Sequence, residues 1–286
     1  MNARLAVVTG GSSGIGLETA RGLLRRGFER VAIIGRDEAR LARAAASLGP
    51  GALPLRADFS SLDQVRACAA EVRATLGPLA VIVNNAGVWH ADRTLSHDGY
   101  EDTFAVNHLA HFVFTRALLD HLAEHEALPA RIVHVSSRRH VHCKGVRWDD
   151  PMLEDGYSGL RAYDQSKLAN LLFSAELARR LRAEGRHVRS NAVHPGSVAT
   201  EITRDSGVLS FLSDKVARVV LLTPEQGAAT SIHAATHPAL DDVTGRYFSR
   251  SRVARPSRLA TDADAAARLW ELSERLVSAP ARAGHA

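Results

Sequence analysis

The sequence predicts an α/β fold built on a doubly wound parallel sheet of about seven strands flanked by helices. Three observations carry this. Short β-branched runs alternate with longer helical patterns along the whole chain. The strand runs are apolar at consecutive positions, as strands covered on both faces must be. A glycine-rich turn joins the first strand to the first helix.

The elements follow in order. Leu5–Thr9 is an unbroken apolar run, and Gly14–Arg26 reads as a helix beyond the glycine turn. Arg30–Gly35 is a second strand, and Asp37 before Glu38-Ala39 is an N-cap for the helix Glu38–Leu48. Strands Ala52–Arg56 and Ala80–Asn84 lie on either side of a helix over Leu62–Leu76. One long helix is expected over Tyr100–Glu124, followed by the strand Arg131–Ser136. Helix Tyr163–Glu184, strand His187–Val193, helix Pro224–Thr236, strand Arg246–Ser249 and helix Asp262–Ser278 complete the alternation. No Pro/Gly/Ser-rich linker or repeat interrupts it, so residues 1–286 read as a single domain. Two stretches resist the pattern, an insertion over 138–160 and a segment over 196–223. Both follow strands, where open sheets bind ligands.

Composition excludes several function classes. The 286 residues carry a net charge of +5, but the arginines stand beside acids throughout, as in Arg36-Asp37-Glu38-Ala39-Arg40. Such faces are solvated, and the densest basic stretch, Arg246 to Arg258, has neither zinc ligands nor heptads, so no nucleic acid is expected. Two cysteines, Cys68 and Cys143, provide no disulfide framework and no metal spacing. No apolar run reaches the ~18 residues of a membrane span. With a strand starting within a few residues of Met1, the chain reads as cytoplasmic. Of 36 basic residues only Lys144, Lys167 and Lys215 are lysine, so a lysine at a site marks chemistry that arginine cannot do.

The first turn is Thr9-Gly10-Gly11-Ser12-Ser13-Gly14-Ile15-Gly16. Gly10 permits the turn, Gly14 lets backbone amides reach a pyrophosphate, and Gly16 permits close packing at a helix amino terminus that favours anions. At the end of the second strand Gly35 precedes Arg36, whose guanidinium suits a 2′-phosphate and so favours NADP(H). Asp58 and Phe59 follow the third strand, and Asn84-Asn85-Ala86-Gly87 ends the fourth. Ser136-Ser137 ends the fifth. Tyr163 and Lys167, four apart, share one helix face. An ammonium beside a phenol favours phenolate and lets one group act as acid and base. His194-Pro195-Gly196 ends the sixth strand.

In this order the motifs resemble those of the short-chain dehydrogenase/reductase family, with its Rossmann-like fold. The resemblance implies a catalytic set of Asn107, Ser137, Tyr163 and Lys167. It also implies cofactor contacts from Gly10, Ser12, Ser13, Gly14, Ile15, Gly16, Arg36, Asp58, Phe59, Asn85, Ala86, Gly87, Tyr163, Lys167, Pro195, Gly196, Val198 and Thr200. Asp58 stands where the family accepts from the adenine amino group, with helix capping as the other reading. Asn107 would open the helix ladder and position a water behind Lys167. His194 is expected to be structural. Ser137 with His140, and Tyr163-x-x-Ser166-Lys167-Leu168-Ala169-Asn170, resemble the retinol-dehydrogenase-like branch, as does Leu269-Trp270-Glu271-Leu272. Members of that branch often carry an anchor before the first strand; none is read here, so retinol is not the expected substrate.

The expected activity is NADPH-dependent reduction of a ketone or aldehyde, reversible, with Tyr163 as proton donor. The expected partner is a small, apolar carbonyl compound or secondary alcohol touching Trp89, His90, the insertion and the Glu201–Leu222 segment, whose apolar stripe Val208–Leu212 reads equally as a lid or as a core helix, with His140 and His142 as loop candidates. A homo-oligomer fits the resemblance. Two other readings stay open: an epimerase or dehydratase using bound nicotinamide transiently, and a non-catalytic NADP-sensing protein.

Overall fold

The computed structural model describes residues 4–123, 129–196 and 222–279. Its centre is one eight-stranded sheet in the order β3-β2-β1-β4-β5-β6-β7-β8. The strands are β1 (Leu5–Thr9), β2 (Arg30–Gly35), β3 (Ala52–Arg56), β4 (Val81–Asn84), β5 (Ala130–Val135), β6 (Val188–His194), β7 (Tyr247–Ser249) and β8 (Arg252–Val253). The first seven pair in parallel, and β8 pairs antiparallel with β7. β8 was not expected. The turn before it places Arg250 and Ser251 at φ of 51° and 57°. Two left-handed residues make a hairpin turn, but neither is Gly or Asn, so the usual sequence signal is missing.

Alternate residues of the central strands feed two cores. Val7, Ala32 and Ile82 face one side, packed with α3 (Leu62–Thr75), α4 (Ala110–Leu118), α5 (Gly159–Ala183) and α7 (Ala263–Ser278). Ala6, Val8, Val31 and Val83 face α1 (Gly14–Leu24), α2 (Glu38–Leu48) and α6 (Pro224–Thr236) on the other. Helix starts follow their capping residues. Asp37 accepts from Arg40 N at 2.9 Å, Asp262 from Ala265 N at 3.0 Å, and Thr223 with Gln226 closes a capping box. β1 and β4 are adjacent, and the chain winds outward from them in opposite directions. This reversal opens a crevice at the carboxyl ends of β1 and β4.

Two helix expectations need correction. The predicted Tyr100–Glu124 helix is broken: a short turn, Asp102–Phe104, leads into a π-helical turn, Ala105–Leu109, before α4. The π turn carries Asn107 at its middle, and such bulges arise where backbone and side-chain needs conflict. The helix expected from Tyr163 begins at Gly159, four residues earlier. A Cβ at Gly159 would lie 2.1 Å from the His90 carbonyl oxygen, so only glycine lets this helix start so close to the loop after β4.

His108, His111 and His134 lie fully inside the first core. Burial holds them at about 3, 4 and 3, against 6.5 ordinarily. The unfolded chain therefore binds protons at these sites that the native chain refuses as pH falls below 6.5. Stability should drop steadily from about pH 6.5 to about 4, by a few kcal/mol per histidine. Urea melts of the native chain and of His134→Gln check this, the variant showing the shallower acid limb.

Candidate active site

The glycine turn leaves β1 through Gly10 at φ +63° and enters α1 through Gly14 at φ +53°, both left-handed. A Cβ on Gly16 would stand 2.1 Å from the Gly10 carbonyl oxygen and 2.5 Å from Asn85 Nδ2. Gly16 thus lets the first turn of α1 close on the loop itself and on the Asn85 side chain. Ser13 occupies the N-cap without capping any amide, which leaves the first-turn N–H groups beside Gly14 and Ile15 free of a side-chain partner. That arrangement fits a pyrophosphate.

Arg36 is exposed at the end of β2. A Cβ at Gly35 would lie 3.0 Å from Ser12 Oγ, a contact relieved when that hydroxyl turns, so Gly35 sets the glycine turn close to the end of β2. A groove of about 340 Å³ next to the turn is lined by Ser12, Ser13, Arg40 and Arg43. These donors and cations fit a 2′-phosphate. Arg40 and Arg43 were not foreseen, although both follow the Asp37 cap on one side of α2. Asp37 itself caps α2, as expected. Another cavity, about 510 Å³, opens at the opposite edge of the sheet among Arg4, Arg26, His233 and His237. It contains none of the site residues.

The loop after β4 is bolted to β1 through Thr9. Its hydroxyl accepts from Asn85 N and Ala86 N, both at 2.9 Å, and lies 2.9 Å from His111 Nε2. His111 Nδ1 is 3.0 Å from the Asn107 carbonyl. A carbonyl can only accept, so Nδ1 carries the proton and Nε2 accepts from Thr9. Asn85 Nδ2 donates back to the Thr9 and Gly10 carbonyls at 2.9 and 3.3 Å. Thr9 and His111 are structural parts of the site that motif reading missed.

The proposed catalytic residues converge at the same edge. Ser136 and Ser137 face opposite ways: Ser136 Oγ donates to the Lys167 carbonyl at 2.7 Å, while the Ser137 hydroxyl accepts from Arg139 N at 3.2 Å and lies on the side of the Tyr163 phenol, where it favours the phenolate. Asn107 Oδ1 accepts from Val88 N at 2.8 Å, and its amide donates to Ser166 Oγ at 2.9 Å. Ser166 in turn donates to the Tyr163 carbonyl at 2.8 Å, a link that the bare Tyr-Lys spacing did not reveal. Lys167 Nζ lies 5.3 Å from the Tyr163 ring centre and donates to the Val135 carbonyl at 3.3 Å. A Cβ on Gly87 would meet Asn107 Oδ1 at 3.1 Å and Lys167 Nζ at 3.5 Å. Without a side chain, Gly87 lets the loop lie directly on both.

Electrostatics differ from expectation in one respect. Burial pushes the Tyr163 phenol up to about 12, with the nearby Ser137 hydroxyl pulling the other way. Burial also holds Lys167 at about 8. Desolvation therefore dominates in the protein alone, and the phenol is protonated at neutral pH.

Other expected positions sort as follows. Asp58 Oδ1 accepts from Ser60 N at 3.0 Å, and the cap of α3 is Ser61, so the capping reading of Asp58 is overturned. The Phe59 ring is buried against His111 and Phe114, leaving only its backbone to meet a cofactor. His140 is not an exposed loop residue. It is 1% exposed, with Nδ1 2.7 Å from the Ser137 carbonyl and Nε2 accepting from Ser257 N at 3.1 Å, so it braces the end of β5. His142 is exposed. His194 Nδ1 accepts from Arg138 N at 3.2 Å, a structural role as expected. His90 Nε2 pairs with Asp102 at 2.8 Å, which holds the imidazole above its usual range. Gly196, at φ +93°, follows Pro195. Val198, Thr200 and the stripe Val208–Leu212 lie outside the described residues. Among the described residues no helix is long and apolar enough to cross a membrane, and no cluster of ligands could hold a metal.

The short chain dehydrogenase family model matches residues 4–207. Retinol dehydrogenase 12 of Mus musculus is 40% identical over 94% of this chain and 85% of its own. An uncharacterised Mycobacterium Paratuberculosis protein of known structure superposes with a TM-score of 0.79 at 32% identity, covering 98% of this chain and 95% of that one. The RhlG/NADP active-site complex of Pseudomonas aeruginosa superposes with a TM-score of 0.70 at 26% identity, covering 91% and 97%.

Lys167 yields a stability test. Because its native value of about 8 lies below the ordinary 10.5, the unfolded chain binds more protons between the two, and stability rises with pH across that window. Lys167→Met should exceed the native chain near neutral pH by up to about 3 kcal/mol, the gap closing as pH climbs toward the ordinary lysine value. Denaturant melts at the two ends of the window measure it.

Proposed function

The chain belongs to the short-chain dehydrogenase/reductase family, in its retinol-dehydrogenase-like branch, and we propose that it is an NADPH-dependent carbonyl reductase, reversible as an alcohol dehydrogenase. That it is an oxidoreductase acting on CH–OH or carbonyl groups follows from the family. The observation that carries the finer reading is the meeting of the Ser137 hydroxyl, the Tyr163 phenol and the Lys167 ammonium beside Gly87.

When bound, the nicotinamide supplies or takes up the hydride. The rest falls to the chain's own residues. Ser137 holds the carbonyl oxygen, already facing the phenol. Tyr163 is protonated at neutral pH, so it is a ready proton donor for reduction. Lys167, four residues on, stabilises the phenolate left behind and would hold the ribose hydroxyls of the bound cofactor, which a broad guanidinium there would displace. Asn107 and Ser166 hold the helix carrying Tyr163 against the loop after β4. Asp58, the Phe59 backbone, Pro195 and Gly196 would complete the cofactor cradle. Support for NADP(H) comes from Arg36 with Arg40 and Arg43, from Gly35 standing where an acid would favour a free ribose, and from the NADP found with the Pseudomonas aeruginosa relative. Trp89, directly after the loop on Gly87, supports an apolar substrate.

Tyr163→Phe should lower turnover at least ~10³-fold while NADPH affinity stays within about twofold, since only the proton donor is lost. Nicotinamide absorbance with a panel of ketones and aldehydes, and fluorescence titration of NADPH, measure the two; wild-type turnover by the variant would refute the mechanism. Arg36→Ala should raise the KM for NADPH by about 10- to 100-fold and leave NADH unchanged, as one charge-assisted phosphate contact is worth. An equal loss with both cofactors would remove Arg36 from the 2′-phosphate site.

A further inference from the structure

Two charged side chains stand beside the reacting groups without a part in the proposed chemistry. Arg139 lies in the 3₁₀ turn Arg138–His142, two residues after Ser137, and Asp164 follows Tyr163 on α5. They form a two-pronged bridge, Nε to Oδ1 and Nη2 to Oδ2 both at 2.7 Å. The carboxylate side is 9% exposed and the guanidinium side 39%. The Arg139 backbone N–H also donates to the Ser137 hydroxyl at 3.2 Å. Each partner thus sits next to one of the two hydroxyl-bearing residues, and the bridge ties the turn after Ser137 to the helix that carries Tyr163.

Resting on the reading of Tyr163 above, we propose that Arg139 and Asp164 form a positioning pair that fixes the Ser137 hydroxyl against the Tyr163 phenol and balances the acid strength of that phenol. Parallel fork geometry fixes direction as well as distance, which a lone lysine could not do. The two charges also act on the phenol with opposite signs: the carboxylate disfavours phenolate and the guanidinium favours it, as both do in the protein alone. Other titratable groups on the elements around Tyr163 leave this balance exposed. On α5 near the phenol, Lys167 is the buried cation, while Arg161 is exposed and donates to the Gly156 carbonyl. His111, His140 and His194 are held below their usual range. Arg138 points to solvent, and Asp102 is engaged by His90.

Three variants test the pair: Asp164→Asn, Arg139→Gln and the two combined. The first readout is the pH midpoint of kcat/KM for alcohol oxidation, where Tyr163 must act as phenolate. The second needs no turnover: the phenolate fraction of Tyr163 in the cofactor-free protein, from its ¹³Cζ resonance, assigned with Tyr163→Phe and followed to about pH 11. Asp164→Asn should move the midpoint down by about 0.5–1 pH unit and raise the phenolate fraction some three- to tenfold. Arg139→Gln should move both the other way. The double variant should return near the native midpoint while kcat stays about tenfold down, because the brace is gone. Midpoints that stay put, or that move together in the single variants while only the melting temperature falls, would reduce the pair to a structural bridge. Should a single variant fail to fold, Arg139→Asp with Asp164→Arg keeps the bridge and carries the cation onto α5. Its midpoint must then fall, and a native midpoint overturns the proposal. If Tyr163→Phe keeps full turnover, the catalytic reading fails, whereas the resonance still judges the pair.

Discussion

The Thr9 hydroxyl sits where the sheet changes winding direction, and the site depends on it. Two amide groups of the loop after β4 point into the seam between β1 and β4, where neither strand can accept from them. A buried amide without a partner costs on the order of 1–3 kcal/mol, so this hydroxyl holds the loop to the sheet. Its own proton goes to His111, whose other nitrogen closes on the Asn107 carbonyl. The glycine turn, the loop on Gly87 and the π turn are thereby referred to one oxygen atom. Asn107 then spans from that loop to Ser166, so the helix bearing Tyr163 and Lys167 is referenced to the same point.

Glycine does its part by being absent as a side chain. Gly16 allows contact with the Gly10 carbonyl, Gly87 allows Asn107 and Lys167 to close on the loop, and Gly159 allows α5 to start against His90. Each removes one methyl-sized obstacle between elements that converge on the crevice. The result is a site whose polar groups are desolvated before any ligand arrives. That is why the phenol is pushed up and the lysine down, rather than the two simply stabilising each other. The phenol therefore keeps its proton at neutral pH in the protein alone.

Much of this was legible beforehand, for reasons that can be named. Parallel strands covered on both faces leave unbroken apolar runs, so all seven expected strands stand within a residue of their expected places. Glycine turns, Asn-Asn-Ala-Gly and the Tyr-Lys spacing are local patterns whose chemistry is set by neighbours in sequence. The misses have the opposite character. The β7–β8 hairpin uses non-glycine residues in left-handed conformation, and the π turn interrupts a pattern that hydrophobic spacing alone reads as continuous helix. Arg40 and Arg43 reach the glycine turn only because α1 and α2 lie side by side. His140 looked like a loop histidine and is a buried brace, since Ser257, 117 residues away, donates to it.

What the sequence by itself determined is the order of strands and helices, the phosphate-binding turn and which residue types could carry the chemistry. These follow from periodicity and from short-range covalent spacing. Only the tertiary structure decided which serine of the pair faces the phenol, which tautomers His111 and His140 adopt, and which way burial moves Tyr163 and Lys167. Each of those depends on groups brought together from distant parts of the chain, and desolvation is a property of the packed assembly. The scarce lysine joins the two levels. Its place four residues after Tyr163 is visible in the sequence, but its burial beside Val135 and Gly87 comes from the fold.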